Sequence, residues 1–297
     1  MVEKRLINSP FNPVSIESTT LDDTWFKLLR ALWFEGRKGE IITSGSFAGS
    51  RRLYFDDISG FIHYPHQRPL APIIPEGIPK ASSPTTDEKI EDYFSNYLMN
   101  SELAEDEEYN YATWIVGGSG NTTIHNCFFD QIHWIIDHFK KHGYSNEHCY
   151  LTIGNPWSNQ AYDKPYKECQ NKHCEDYRTS ILHKHEVKNC PRCGYDLVKN
   201  EAKRGTSPCL RGLDFAIRTI EGINFLTTKV IYRSWDLVSA WPENMGGFTL
   251  VNEYVASNLE NVEPGPLSYS CKSLHAYDHA IKPLKGLLHI DDENENA

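Results

Sequence analysis

The chain has 297 residues, of which 39% are hydrophobic and 12% aromatic, enough to bury one large core or two small ones and too apolar for a disordered polypeptide. A net charge of −10 and a pI near 5.7 argue against general nucleic-acid binding, which draws its affinity from Lys and Arg, while leaving room for a local basic pocket around one phosphate. No run of about 18 apolar residues occurs, MVEKRLINSPFNP lacks an apolar signal core, and eight cysteines without an export signal point to thiols and metal rather than disulfides, so a cytoplasmic protein with no membrane partner is expected.

In chain order, DTWFKLLRALWFEG places Trp25, Leu28, Leu29, Leu32 and Trp33 at helical spacing, with Gly36 as the stop. GSFAGSRRLYFDDISGFIHYP predicts a turn and then a strand. The Pro-rich stretch 66–86 predicts an ordered but irregular connection. DEKIEDYFSNYLM predicts a second helix, and ELAEDEEY a solvated acidic face. TTIHNCFFDQIHWIIDHFKKHG puts Phe128, Ile132, Ile135 and Phe139 on one helical face, ended by Gly143. CYLTIGNP predicts a strand, and residues 161–207 form a polar, Cys-rich insertion. LRGLDFAIRT and NFLTTKVIYRSWD predict two strands around a turn near Glu221 and Gly222. GGFTLVNEYVASNLE predicts a helix, and IDDENENA a frayed tail. Helices and strands without regular βαβ order predict an α+β fold, a large mixed or antiparallel sheet flanked by helices. Residues 1–297 read as a single domain that carries the insertion.

Within the insertion, Cys169-x4-Cys174 and Cys190-Pro-Arg-Cys193-Gly lie about 16 residues apart. CPxCG is a zinc-knuckle turn, and four thiolates at this spacing would close a tetrahedral Zn2+ site. His173, His183 or His185 could replace one ligand, and a redox dithiol is the competing reading. With no position left for water, the metal would be structural.

The last third of the chain carries different chemistry. Cys209 in SPCLRGLDF is a thiol, reactive as thiolate, which cations such as nearby Arg211 favour. Adjacent Arg233 and Ser234 suit a phosphate, a guanidinium fork beside a hydroxyl. Asn244 offers a donor and an acceptor, as the O4 and N3–H edge of uracil requires; a cytosine would favour a carboxylate. The same Asn could instead cap a helix beginning at Gly246 or Gly247. His275 and Tyr277, two apart on an extended stretch, face one side and could grip a sugar hydroxyl. Taken singly, each also has a plain structural reading.

Together and in this order, PCLR, YRSWDL, PENMGG and LHAYDH resemble the thymidylate synthase family, which includes pyrimidine nucleotide hydroxymethylases. The resemblance runs from about Tyr109 to Tyr277 and is strongest from Pro208 onward. It implies the family's fold, a homodimer formed through the sheet, a nucleotide substrate such as dUMP, and 5,10-methylenetetrahydrofolate or a related pterin. It also implies that Cys209 attacks C6 of the pyrimidine, that Arg233 and Ser234 hold the phosphate, and that Asn244 reads the base. His275 and Tyr277 would hold the ribose, and Asp236 would contact the pterin, with Leu237 and Ala240 beside it. YNYATWI places the active-site tyrosine at Tyr111, with Ala112 where the family usually has glycine. DQI at Asp130 to Ile132 matches the family's helix.

The chain also departs from the family. Ser145-Asn146-Glu147-His148 stands where paired arginines are usual, so Arg51 and Arg52 become candidates to complete the phosphate pocket. Glu91 is the candidate for the general-base glutamate. About 20 residues follow Tyr277, short for a segment that closes over the folate. That favours somewhat a hydroxymethylase, in which water rather than hydride completes the reaction. Methyl and hydroxymethyl products both stay open at this level. A noncatalytic nucleotide- or RNA-binding relative is the third reading, opposed by Cys209, Arg233, Asp236 and Asn244 together and by the acidic charge.

Overall fold

Thr20 opens the first helix, α1 (Leu21–Glu35): its hydroxyl accepts from the Asp23 N–H, and Asp22 and Asp23 lie in the positive first turn. Trp25, Leu28, Leu29 and Leu32 are fully buried, as their spacing predicts, and Gly36 closes the helix by donating to the Leu32 carbonyl. The structure, a computed structural model, describes residues 11–39, 41–42, 49–74, 76–77, 83–102, 110–118, 129–154, 165–175, 177, 180–181, 188–204 and 208–290.

Thr86 caps α2 (Asp87–Asp92), which continues as a π-helix over Tyr93–Leu98. A one-turn helix, α3 (Ala112–Ile115), precedes α4 (Gln131–His142), capped by the Asp130 carboxylate and ended at Gly143, whose φ of 82° suits glycine. The part of the predicted helix before Phe129, Phe128 included, lies outside the described residues, as do most of the acidic run and the last seven residues of the tail. The helix expected from Gly246 or Gly247 instead begins at Trp241: α5 spans Trp241–Ser257, with Pro242 in its first turn, where a missing N–H costs nothing. Asn244 is therefore not its cap; the Asn244 N–H already bonds the Ala240 carbonyl. A last helix, α6 (Ile281–Leu287), follows.

The strands in chain order are β1 (Pro13–Ser18), β2 (Arg37–Lys38), β3 (Arg52–Tyr54), β4 (Asp57–Ile62), β5 (Tyr150–Thr152), β6 (Pro165–Cys169), β7 (Ser180–Ile181), β8 (Leu197–Arg204), β9 (Leu210–Ile220), β10 (Ile223–Tyr232), β11 (Trp235–Asp236), β12 (Val262–Cys271) and β13 (Leu274–Tyr277). The strand predicted over RRLYFDDISGFIHYP is two strands, β3 and β4, which leave in different sheets from either side of buried Phe55. One mixed sheet runs β1-β4-β12-β10-β9-β5, with β1 parallel to β4 and β10 parallel to β12. A second runs β11-β13-β3-β2, and the insertion contributes a third, β7-β6-β8. This is the mixed α+β architecture the pattern predicts.

Helix α5 packs on β12 and β10, and α1 on β1. Between them lie Trp25, Trp241, Tyr269 and Phe248, all fully buried. Two glycines set the approach of α5 to α2: a Cβ at Gly246 would lie 2.7 Å from Ile90, and one at Gly247 2.6 Å from Tyr93. The register of β10 against β12 slips between Leu226 and Thr228. Buried Asn252 of α5 repairs that bulge, donating to the Leu226 carbonyl and the Thr228 hydroxyl at 2.8 Å each.

Arg68 grips Glu253 of α5 with two bonds of 2.9 and 2.8 Å, and His66 Nδ1 lies 3.3 Å from the same carboxylate. Burial alone would raise the Glu253 carboxyl, but the His66 and Arg68 contacts outweigh it and bring it from 4.5 to about 2. A carboxyl depressed on folding adds stability that is complete above its unfolded value and lost as pH falls toward the folded one. Glu253→Gln is therefore expected to lower the melting temperature at neutral pH, with the gap from wild type narrowing between pH 4.5 and 2. Thermal melts showing a pH-independent gap would contradict this.

Candidate active site

Cys209 immediately precedes β9, and its carbonyl accepts the Arg233 N–H at 3.0 Å. Ile231 pairs with Gly212 but Tyr232 pairs with Leu210, so Arg211 is the extra residue of a β-bulge beside Cys209. The irregularity sets Cys209 and Arg233 side by side where β9 and β10 end. Burial raises the Cys209 thiol, and the Arg233 and Arg211 charges oppose the rise without cancelling it. The resting thiol is accordingly protonated at neutral pH, with two cations in place to lower the cost of ionising it.

Arg233 is exposed and gives Nε to the Pro208 carbonyl at 3.2 Å, with half-buried Ser234 next to it. Asp236, on β11, accepts the Val238 and Ser239 N–H groups on Oδ1 at 3.0 and 3.3 Å, which fixes the carboxylate and leaves its other oxygen as an acceptor. Ala240 is half-buried just before α5. Leu237 turns inward: it is fully buried, and its carbonyl takes the Trp25 indole N–H at 2.8 Å. It supports this wall from behind.

Asn244 projects from the first turn of α5. Its Oδ1 accepts from Trp235 Nε1 at 2.9 Å and from the Tyr232 hydroxyl at 3.3 Å. An indole N–H only donates, so the amide oxygen must face it, and Nδ2 takes the other side. Tyr232 and Trp235 stack at 3.8 Å with planes 5° apart. Tyr111, nearly buried at the start of α3, accepts the Leu210 N–H at 3.3 Å and sets its ring edge-on to Tyr232 and to Tyr97. Tyr97 in turn stacks on Tyr93. An aromatic wall thus runs from α2 to the amide.

His275 and Tyr277 lie on β13, with rings 4.6 Å apart at 78°, on one side as their spacing predicts. His275 is 2% exposed. Its Nδ1 is 3.0 Å from the Ser273 carbonyl, which only accepts, so Nδ1 carries the proton and Nε2 is an acceptor. Nε2 is buried with no hydrogen-bond partner among the described residues. Burial holds the imidazole neutral, against the pull of the Ser273 carbonyl and Asp236. Burial also raises the Tyr277 hydroxyl, which lies within the fields of Asp236, Cys209, Arg52 and Arg233. Arg52 pairs with Tyr277 across the β3–β13 ladder. Of the two arginines named from sequence, Arg52 is the one whose charge acts on His275 and Tyr277. Arg51 is exposed and joins Asp278 through its backbone.

Glu91 is exposed on α2 and its charge acts on Arg68. It lies two positions from Tyr93, roughly half a turn round the helix. A cleft of about 420 Å³ beside the aromatic wall is lined instead by Asp92 and Glu243, with Lys89, Tyr93, Asn96 and Tyr97. Glu243 adjoins Asn244 and accepts from the buried Thr85 hydroxyl at 2.9 Å. The sequence reading missed Glu243 and the rings of Tyr93, Tyr97, Tyr232 and Trp235. The i, i+4 spacing of Tyr93 and Tyr97 is the signal that could have found two of them.

In the insertion, the sulfurs of Cys169, Cys174, Cys190 and Cys193 all lie within 4.8 Å of one another. His173 is exposed and outside this group, and His183 and His185 lie outside the described residues.

Chemically, the main cluster offers a cation-flanked thiol, a pinned amide with a free donor edge, a neutral imidazole acceptor and an aromatic wall. That combination suits a planar, hydrogen-bonding ring carrying an anionic group. No family model matches the chain. Over 264 residues it is 26% identical to a protein of Methanosarcina mazei and 26% to one of Methanosarcina acetivorans, and it is 24% identical to one of Methanococcoides burtonii. Each is named "Putative thymidylate synthase", and each alignment covers 89% of this chain and 89% of the relative. These similarities support a relationship to the thymidylate synthase family.

Proposed function

We propose that the protein converts dUMP to dTMP with 5,10-methylenetetrahydrofolate, Cys209 attacking C6 of the pyrimidine. What supports the reading is that Cys209, Arg233 and Asn244 lie at one end of the β9–β10 pair, with the Tyr277 hydroxyl within the fields of Cys209 and Arg233, in a chain whose relatives are named "Putative thymidylate synthase".

Arg233 and Ser234 bind the phosphate, with Arg52 or Arg51 completing the positive side. Asn244 donates Nδ2–H to O4. For it to accept N3–H on Oδ1 as well, the longer Tyr232 bond is the one that yields. His275 Nε2 accepts from a ribose hydroxyl, with Tyr277 beside it, which gives that buried acceptor its partner. With Arg233 and Arg211 lowering the cost of the thiolate, Cys209 gives its proton to the general base or to water. Its sulfur adds to C6, the C5–C6 electron pair making C5 an enolate-type carbon nucleophile. After the one-carbon unit is joined, the C5 proton leaves to the base and the C6–sulfur bond breaks to return the thiolate. The folate supplies the one-carbon unit and, for a methyl product, the hydride. Asp236 fits a pterin, since its free oxygen can accept from a pterin N–H while the backbone fixes the other. Tyr111 orders the strand start behind the nucleophile. Glu91 and Glu243 are the carboxylates from which the general base is drawn.

Residues 1–297 would act as one catalytic domain carrying the insertion 161–207, in the cytoplasm. The face of the six-stranded sheet on which Asp57, Ser59 and Phe61 are exposed would form a homodimer. No helix among the described residues is long and apolar enough to cross a membrane.

The test is incubation with 5-fluoro-dUMP and 5,10-methylenetetrahydrofolate followed by peptide mass spectrometry. A covalent adduct on the peptide containing Cys209 is expected. No adduct, with nucleotide binding retained, would leave a noncatalytic nucleotide-binding relative.

A further inference from the structure

We propose that the insertion binds one structural zinc ion through Cys169, Cys174, Cys190 and Cys193. Cys169 and Cys193 bring their sulfurs to 3.6 Å, and Cys174 and Cys190 theirs to 3.9 Å. A disulfide would need about 2.05 Å. Four sulfurs about 2.3 Å from a tetrahedral zinc stand about 3.8 Å apart along each edge, and the two measured separations bracket that value.

The surroundings of the sulfurs have the form that thiolate charge requires. The Cys169 sulfur receives the backbone N–H of Asn171, and the Cys193 sulfur that of Tyr195. Each arm thus turns the amide two residues on toward its own cysteine, where a developing negative charge is compensated. Gly194, at φ 72°, allows the turn in the second arm and donates to the Cys190 carbonyl at 2.8 Å.

Among the described residues, the cysteines are the centre of the lobe's packing. Its buried cluster is Cys169, Cys174 and Cys190, with Cys193 and Leu197 packed against them. Of the other large side chains whose burial is described, Tyr195 and Val198 are exposed and Tyr177 is half-buried. A small three-stranded sheet whose buried cluster, among the described residues, is made mainly of cysteines draws its stability from the metal. Four protein ligands leave no position for water or substrate, so the ion holds the lobe and takes no part in chemistry.

The test uses the full-length protein purified in metal-free buffer. Elemental analysis should give one zinc per chain. A chelator should expose four further thiols to a thiol reagent and lower the melting temperature. Cys190→Ser should lose most of the zinc, whereas Cys149→Ser, at a buried thiol outside the group, and Cys209→Ser should keep it. Should Cys190→Ser not fold, the wild-type protein refolded with cobalt should show the visible absorption of a tetrahedral thiolate site. Absence of metal with all four thiols reactive, two disulfides in the purified protein, or full zinc in Cys190→Ser would each overturn the proposal. Because Cys209→Ser removes the nucleophile and leaves these ligands, failure of the catalytic reading and failure of the zinc site are distinguishable.

Discussion

Cys209→Ser is expected to remove turnover, by on the order of a thousandfold or more, while dUMP binding stays within a few fold. The arginine charges lower the cost of a thiolate, but a serine hydroxyl is far too weak an acid for them to ionise it. The substitution is otherwise conservative. The bond from the Arg233 N–H to the carbonyl of residue 209, and that from the Leu210 N–H to Tyr111, are made by main-chain atoms and survive it. In the proposed reading the ground-state contacts to phosphate, base and ribose lie on other residues, so the loss falls on kcat. Steady-state kinetics beside calorimetric binding separates the two. A variant retaining more than a tenth of the wild-type rate would remove Cys209 as the nucleophile.

Asn244→Asp is expected to move preference from uracil toward cytosine nucleotides. The Trp235 indole and Tyr232 hydroxyl occupy Oδ1 and leave Nδ2 on the other side, where the proposed reading puts the base. An aspartate keeps those two bonds on one oxygen and replaces the donor edge with an acceptor. It then repels O4 of uracil and accepts from the N4 amino group of cytosine. A well-made contact of this sort discriminates by roughly 1–3 kcal/mol, by analogy with base readout in DNA grooves. The ratio of kcat/KM for dUMP to that for dCMP should therefore fall by roughly one to two orders of magnitude. An unchanged ratio would take Asn244 out of the base pocket.

Much of this arrangement was legible from residues close together in sequence. The helical face of Trp25, Leu28, Leu29 and Leu32, the hairpin turn at Glu221 and Gly222, and the shared face of His275 and Tyr277 follow from local periodicity. The cysteine spacing likewise placed four sulfurs in one group. What escaped depended on long-range pairing. Val14 and Ile16 alternate with Ser15 and Glu17 over too short a stretch to announce β1, which becomes a strand by pairing with β4. The division of RRLYFDDISGFIHYP into two strands is decided by partners about two hundred residues away, β13 for β3 and β12 for β4. Trp241 and Pro242 did not read as a helix start, because no side-chain cap precedes them. The aromatic wall and Glu243 are assembled by the close approach of α5 to α2 at Gly246 and Gly247, which spacing along the chain does not reveal.

The proposed one-carbon transfer is tested most directly by the nucleotide formed from dUMP and 5,10-methylenetetrahydrofolate, identified by mass spectrometry. The expected product is dTMP, formed by the wild-type protein and not by Cys209→Ser. A hydroxymethyl product would make the enzyme a hydroxymethylase that uses water in place of hydride. Unaltered dUMP from folded protein that binds both compounds would contradict one-carbon transfer altogether.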